Sequence, residues 1–194
     1  MILWIGILAN QRNKFMHFKN NKTIFLTAVA LVVFGVLIRS MPHLPNLTPV
    51  TAIAFVGGLY LGKRWAVILP VSVMFISDLM IGFYSWPIML TVYGSFLAIG
   101  FLAWMTTKSG SVLVGGLSVM GSSVFFFLVT NAAVWMFSPW YEKNFAGLLF
   151  AYQLGLPFFR NMLIGDLAYL AILVCAFELV IHFSQRQTRQ IVFS

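Results

Sequence analysis

Apolar residues run along this chain in six long segments, near 23–40, 48–62, 65–83, 87–106, 111–137 and 160–184, separated by short polar or aromatic breaks. Segments of roughly 20 residues match a helix crossing ~30 Å of hydrocarbon at 1.5 Å per residue. The second segment is short, and its Gly57, Gly58 and Gly62 predict close helix contact or a broken end. The fifth is long enough to tilt or to emerge at its outer end. The pattern predicts an all-α, polytopic integral membrane protein with six transmembrane helices. Residues 1–22 form a cytoplasmic N-terminal segment, 23–184 a six-helix transmembrane domain and 185–194 a cytoplasmic tail.

Composition sharpens this reading. Of the 194 residues, 61% are hydrophobic and 8% charged, and the mean hydropathy is +0.95, more apolar surface than a water-soluble core requires. The net charge of +8 comes from 12 scattered Lys and Arg. No basic face gathers them, so they indicate topogenesis in a lipid bilayer, with no nucleic acid as partner. Cys175 is the single cysteine, which excludes a disulfide framework or a thiolate cluster. His17 and His43 have no second histidine at ligand spacing, so no metal and no cofactor is expected.

Residues 1–9, MILWIGILA, are apolar but too short to span, and their basic residues follow them, the reverse of a secretory signal. An interfacial anchor and a translation start at Met16 both remain open.

Lys and Arg are retained on the cytoplasmic side. With both termini inside, the inner segments hold Arg12, Lys14, Lys19, Lys22, Lys63, Arg64, Lys108, Arg186 and Arg189, and the outer ones only Arg39, Lys143 and Arg160. The inner connections are a few residues long. The outer ones are larger: SMPHLPNLTP (40–49) carries three prolines, and SPWYEKNFAGLLFAYQLGLPFF (138–159) is aromatic, with a short interfacial helix expected around 145–154.

This topology sets a depth for each polar residue within a span. Asp78, Tyr93, Asn131 and Asp166 each fall about five or six residues below an outer end, roughly 8–9 Å down, with Arg39 and Arg160 just above. A carboxylate facing lipid costs about 2.5–3.5 kcal/mol, so both should face the bundle interior. The expected result is an outward-opening cavity lined by Asp78, Tyr93, Asn131, Arg160, Asn161 and Asp166. Trp135, Trp140, Tyr141 and Tyr152 lie nearby, as an interfacial belt or as a stacking surface. Glu178 lies about 18 Å deeper than Asp166. With His182 and Arg186 it forms an inner polar stripe, snorkelling or facing a cytoplasmic partner.

Three segments carry a family resemblance: PHLPNLTPVTAIAFVGGLYLG (42–62), Ser77-Asp78, and LPFFRNMLIGDLAY (156–169). Together they resemble an uncharacterised group of six-helix bacterial membrane proteins, which is similar to the substrate-binding S components of energy-coupling factor (ECF) vitamin transporters. The matching positions are Asn46 and Pro49 in the first segment and Arg160, Asn161 and Asp166 in the last. The resemblance implies an S-component-like bundle in the bacterial inner (plasma) membrane that captures a vitamin-like solute from outside. It would pair with a transmembrane coupling subunit and two ATP-binding cassette ATPases. Many S components carry Ala-x-x-x-Ala on the first helix as a docking surface; here Ala28 is followed by Val32 and Ala30 by Phe34.

The expected solute-binding residues are therefore Asn46, Asp78, Tyr93, Asn131, Trp135, Arg160, Asn161 and Asp166. The chain lacks a Gly-x-x-x-x-Gly-Lys-Ser/Thr stretch, so energy would come from another protein, and no catalytic activity is expected. An aspartyl intramembrane enzyme would need Gly-x-Gly-Asp and Tyr-Asp motifs that are missing here. The alternative function is a non-catalytic inner-membrane scaffold or assembly protein, in which the polar groups serve helix packing alone.

Overall fold

The computed structural model describes residues 20–106 and 112–192, with side chains to residue 184. The expected N-terminal anchor or Met16 start, Lys108, and the side chains of Arg186 and Arg189 lie outside the described residues. Within these limits the protein is all-α with six helices: α1 (Asn21–Ser40), α2 (Val50–Leu61), α3 (Trp65–Ile81), α4 (Trp86–Thr106), α5 (Val112–Phe137) and α6 (Phe145–Val192).

Four of these, α1, α4, α5 and α6, are long and apolar enough to cross a membrane, whereas α2 and α3 are shorter. Their outward faces are apolar: α1 exposes Phe25, Leu26, Val29, Val33 and Leu37, a stripe of helical spacing suited to acyl chains. Buried positions instead include Thr51, Ser77, Asp78, Ser95, Ser122, Ser123 and Asp166. The interior is still mainly apolar, but an outer face this rich in large hydrophobic side chains is unlike that of a water-soluble protein.

α2 explains how a short helix fits such a bundle. Every residue from Val50 to Gly58 is buried, because α2 forms the centre and touches all five other helices. Around it α1 packs on α3, α3 on α4, α4 on α5 and α5 on α6, and Phe34 of α1 meets Tyr169 of α6 edge-on at 6.2 Å. A helix shielded on all sides has no need to match the bilayer thickness. The span expected at 48–62 is thus a buried core helix entered by a loop, residues 41–49, that descends into the molecule.

α2 ends in a π-helical turn, Gly57–Leu61, closed by Gly62 N–H to the Gly57 carbonyl at 3.1 Å. Gly62 (φ 110) and Gly82 (φ 106) end α2 and α3 in backbone that other residues adopt only with strain. Asn46 takes the left-handed conformation at φ 63, which asparagine tolerates. In α3, Pro70 has no N–H to offer the Ala66 carbonyl. That carbonyl faces Gly100 of α4, where a β-carbon would approach it to 2.7 Å.

The last helix departs from expectation. The interfacial helix at 145–154 and the span beginning near 160 are one continuous helix that passes through Pro157. The loop expected between them is absent: Pro157 forfeits only one backbone bond, and the flanking turns pack on α5. Tyr152 donates to the Leu128 carbonyl at 2.9 Å, and Phe127 meets both Tyr152 and Phe159.

Candidate functional site

The loop-bearing end of the bundle holds a cavity of about 470 Å³, within the size range of small-molecule sites. Its walls come from α4 (Ile88, Val92, Phe96), α5 (Phe126, Thr130, Asn131, Val134) and α6 (Leu154, Gly155, Phe158, Met162). Thr51 of α2 and Met74 of α3 also border it, and Pro45, Asn46, Thr48, Tyr84, Trp140 and Tyr141 contribute from the three loops. Arg39, at the end of α1, is the one charged side chain on the wall.

Arg39 is held in place from behind. Its Nε donates to Ser77 Oγ at 2.7 Å and its Nη2 to Asp78 Oδ1 at 2.7 Å. The other carboxylate oxygen of Asp78 accepts from the Tyr93 hydroxyl at 2.9 Å. Asp78 is 2% exposed and Arg39 17%, so the cation faces the cavity and the anion lies behind it. Tyr84 sits in the turn between α3 and α4. Burial, reinforced by the charge of Asp78 and opposed by Arg39, pushes its phenol up to about 12, which keeps the hydroxyl a neutral donor.

The second carboxyl group lies behind a different part of the wall. Asp166 is buried and accepts from Ser123 Oγ at 2.8 Å, with the Thr51 side chain close to it. Among the described residues no salt bridge reaches it. The two aspartates thus belong to separate networks, each presenting one member, Arg39 or Thr51, to the cavity.

Their depth is not that inferred from the sequence. Along α5, Asn131 stands against Gly155 and Ser123 against Asp166, an offset of eight residues or about 12 Å. Asp166 is correspondingly deeper than Asn131. The cause is the start of α6 at Phe145: its outer end lies far above Arg160, from which the depth of Asp166 was counted.

Of the expected residues, Asn46 and Asn131 line the cavity. Asp78 and Tyr93 hold Arg39, and Asp166 lies behind Thr51. Asn161 donates to the Pro45 carbonyl at 3.2 Å, and four residues on, Gly165 admits the Leu47 backbone, whose Cα would stand 3.3 Å from a β-carbon. The RNMLIGD segment therefore anchors the loop that forms part of the wall. Trp135 donates from Nε1 to the Glu142 carbonyl at 2.9 Å, and Lys143 bonds the carbonyls of Trp135 and Ser138, tying down the loop after α5. Arg160 is exposed and away from the cavity.

Sequence reasoning missed Thr51, Ser123 and Thr130, whose signal was a small hydroxyl within an apolar run. It also missed Tyr60, which donates to Glu178 Oε1 at 2.5 Å and stacks on Phe177 at 4.5 Å. Glu178 is accordingly bonded inside the bundle through the π-helical turn. Among the described residues no group of His, Cys, Asp and Glu is arranged to hold a metal ion.

No curated protein and no solved structure matches the chain. Residues 19–190 match a family described as a family of unknown function, DUF6580, and since the match covers most of the sequence, the chain belongs to that family.

Proposed function

We propose that the protein is the substrate-binding membrane subunit of an ECF-type transporter. It captures a small vitamin-like solute from the outer side, and separate ATPase subunits, reached through a transmembrane coupling subunit, power uptake. The observation that carries this reading is the cavity itself: a recess of about 470 Å³ at the loop-bearing end, with aromatic walls and a fixed arginine. Its polar groups are few and their orientation is set by partners behind the wall, the usual construction of a site that selects a solute.

Several features support the reading. The loop-bearing end carries fewer basic residues than the other, which favours an outward-facing cavity under the positive-inside rule. On this reading both termini lie in the cytoplasm, with α2 and the shorter α3 traversing the bundle inside the four long helices. The absence of a nucleotide-binding stretch from the sequence makes this chain the recognition component and leaves energy conversion to its partners. A scaffold would have no need for a cavity of this size.

The test is a thermal-shift screen of water-soluble vitamins and their precursors on detergent-purified protein, with co-purification from native membranes. A stabilising solute and a co-purifying ATP-binding cassette pair support the proposal. Structural partners alone, with no stabilising solute, indicate the scaffold.

A further inference from the structure

The side chains behind the cavity wall also constrain the chemistry of the solute, on the reading that this cavity is the binding site. A guanidinium has five N–H donors. The Nε and Nη2 hydrogens along one side are taken by Ser77 and Asp78. The end-on edge, formed by Nη1 and the second hydrogen of Nη2, has no hydrogen-bond acceptor among the described residues, and Arg39 lines the cavity. That edge carries two parallel N–H groups spaced to fit the two oxygens of a carboxylate.

The charges on the wall point the same way. Among the described residues no Asp or Glu lines the cavity: Asp78 stands behind Arg39, and Asp166 lies behind Thr51. A cationic solute would meet a guanidinium with no carboxylate within reach. A neutral amide could accept the same hydrogen bonds, but without the charge that makes them strong. A phosphate brings a second negative charge, whereas Asp78 already offsets much of that on Arg39. The other polar groups on the wall, among them Asn46, Thr48, Thr51, Thr130 and Asn131, are uncharged, and aromatic and aliphatic side chains share the remaining surface.

We infer that the solute is a small flat monocarboxylic acid whose carboxylate takes the end-on edge of Arg39 and whose ring lies among Tyr84, Phe96, Phe126 and Phe158. Arg39 is then the specificity-determining residue, and Ser77 and Asp78 are positioning residues that fix the direction of its free edge.

The test compares matched probes on the full-length purified protein: benzoate, benzamide and benzylamine; nicotinate and nicotinamide; indole-3-acetate, indole-3-acetamide and tryptamine; with phenyl phosphate added. Dissociation constants come from thermal shift and tryptophan fluorescence. At least one ring should bind as the acid about tenfold or more tightly than as its amide or amine, the margin expected of a charge-assisted pair. The wild-type comparison needs no variant. In the charge-neutral R39Q/D78N double variant, which leaves no buried ion unpaired, the preference for the acid should vanish.

Equal or tighter binding of the amides, amines or phenyl phosphate would overturn the inference while leaving solute binding intact. Persistence of the acid preference in R39Q/D78N would remove Arg39 from its role. Failure of every probe also sinks the inference, and the vitamin screen then judges the transport reading separately.

Discussion

Arg39 and Asp78, one at the end of α1 and the other near the end of α3, are joined at 2.7 Å, with the arginine on the cavity wall and the aspartate sealed behind it. The pair links two helices and fixes a cation at the same time. Removing one partner leaves the other buried and uncompensated. Arg39→Gln alone should cost about 3 kcal/mol, at the low end for buried pairs because Arg39 keeps 17% exposure. R39Q/D78N should recover a large part of that loss. Unfolding in mixed micelles measures both, and equal destabilisation of the single and double variants would contradict the pairing.

Gly155 and Asn131 set the distance between α5 and α6. A β-carbon at position 155 would stand 2.4 Å from Asn131 Oδ1 and 2.9 Å from Phe127 Cε2. Gly155→Ala should therefore destabilise the protein by about 1–3 kcal/mol through overpacking. Adding Asn131→Ala should relieve much of this. Gly100→Ala should show no such rescue by a side-chain deletion, because its nearest neighbours are the Ala66 carbonyl and the Val67 Cα, both backbone. Melting temperatures of these three variants against wild type provide the check.

The Tyr60–Glu178 bond lies among residues of the π-helical turn and the later part of α6, away from the cavity-lining groups. Tyr60→Phe removes a hydrogen bond to an acidic side chain and should cost about 1.5–3 kcal/mol. Solute affinity should stay within about twofold of wild type if the two regions are independent. A loss of binding at unchanged stability would show instead that the two ends are coupled.

The helices themselves were legible in the sequence because apolar segments long enough to cross a bilayer have few choices there: they must be helical to satisfy their backbone groups. The aspartates were also legible as interior groups, since a carboxyl facing hydrocarbon is costly. Helix ends inside the bundle were not. α2 reads as a span from its composition, yet its burial on every side comes from tertiary packing that composition does not encode. α6 runs unbroken from the expected interfacial helix through Pro157 into the expected span because its first turns rest on the upper part of α5, a packing that composition does not encode.

That one misplaced end accounts for the misassignments on α6. Counting depth from Arg160 put Asp166 level with Asn131, and from that level Arg160 and Asn161 looked like cavity wall. Asn161 instead secures the loop at Pro45, and Arg160 is exposed. The residues that face the cavity between them, Thr51, Phe96, Phe126 and Thr130, are uncharged and do not stand out in an apolar run. They become recognisable only when four helices are placed around them.

The central claim is that the cavity between α4, α5 and α6 binds a solute, and its most direct test is ligand stabilisation of wild type against Val134→Trp, which fills the cavity from the α5 wall. With a solute from the screen at a hundredfold excess over Kd, wild type should gain about 2.7 kcal/mol. The folded Val134→Trp protein should gain none. Equal stabilisation of both proteins, or no stabilisation of wild type by any compound, would contradict the claim.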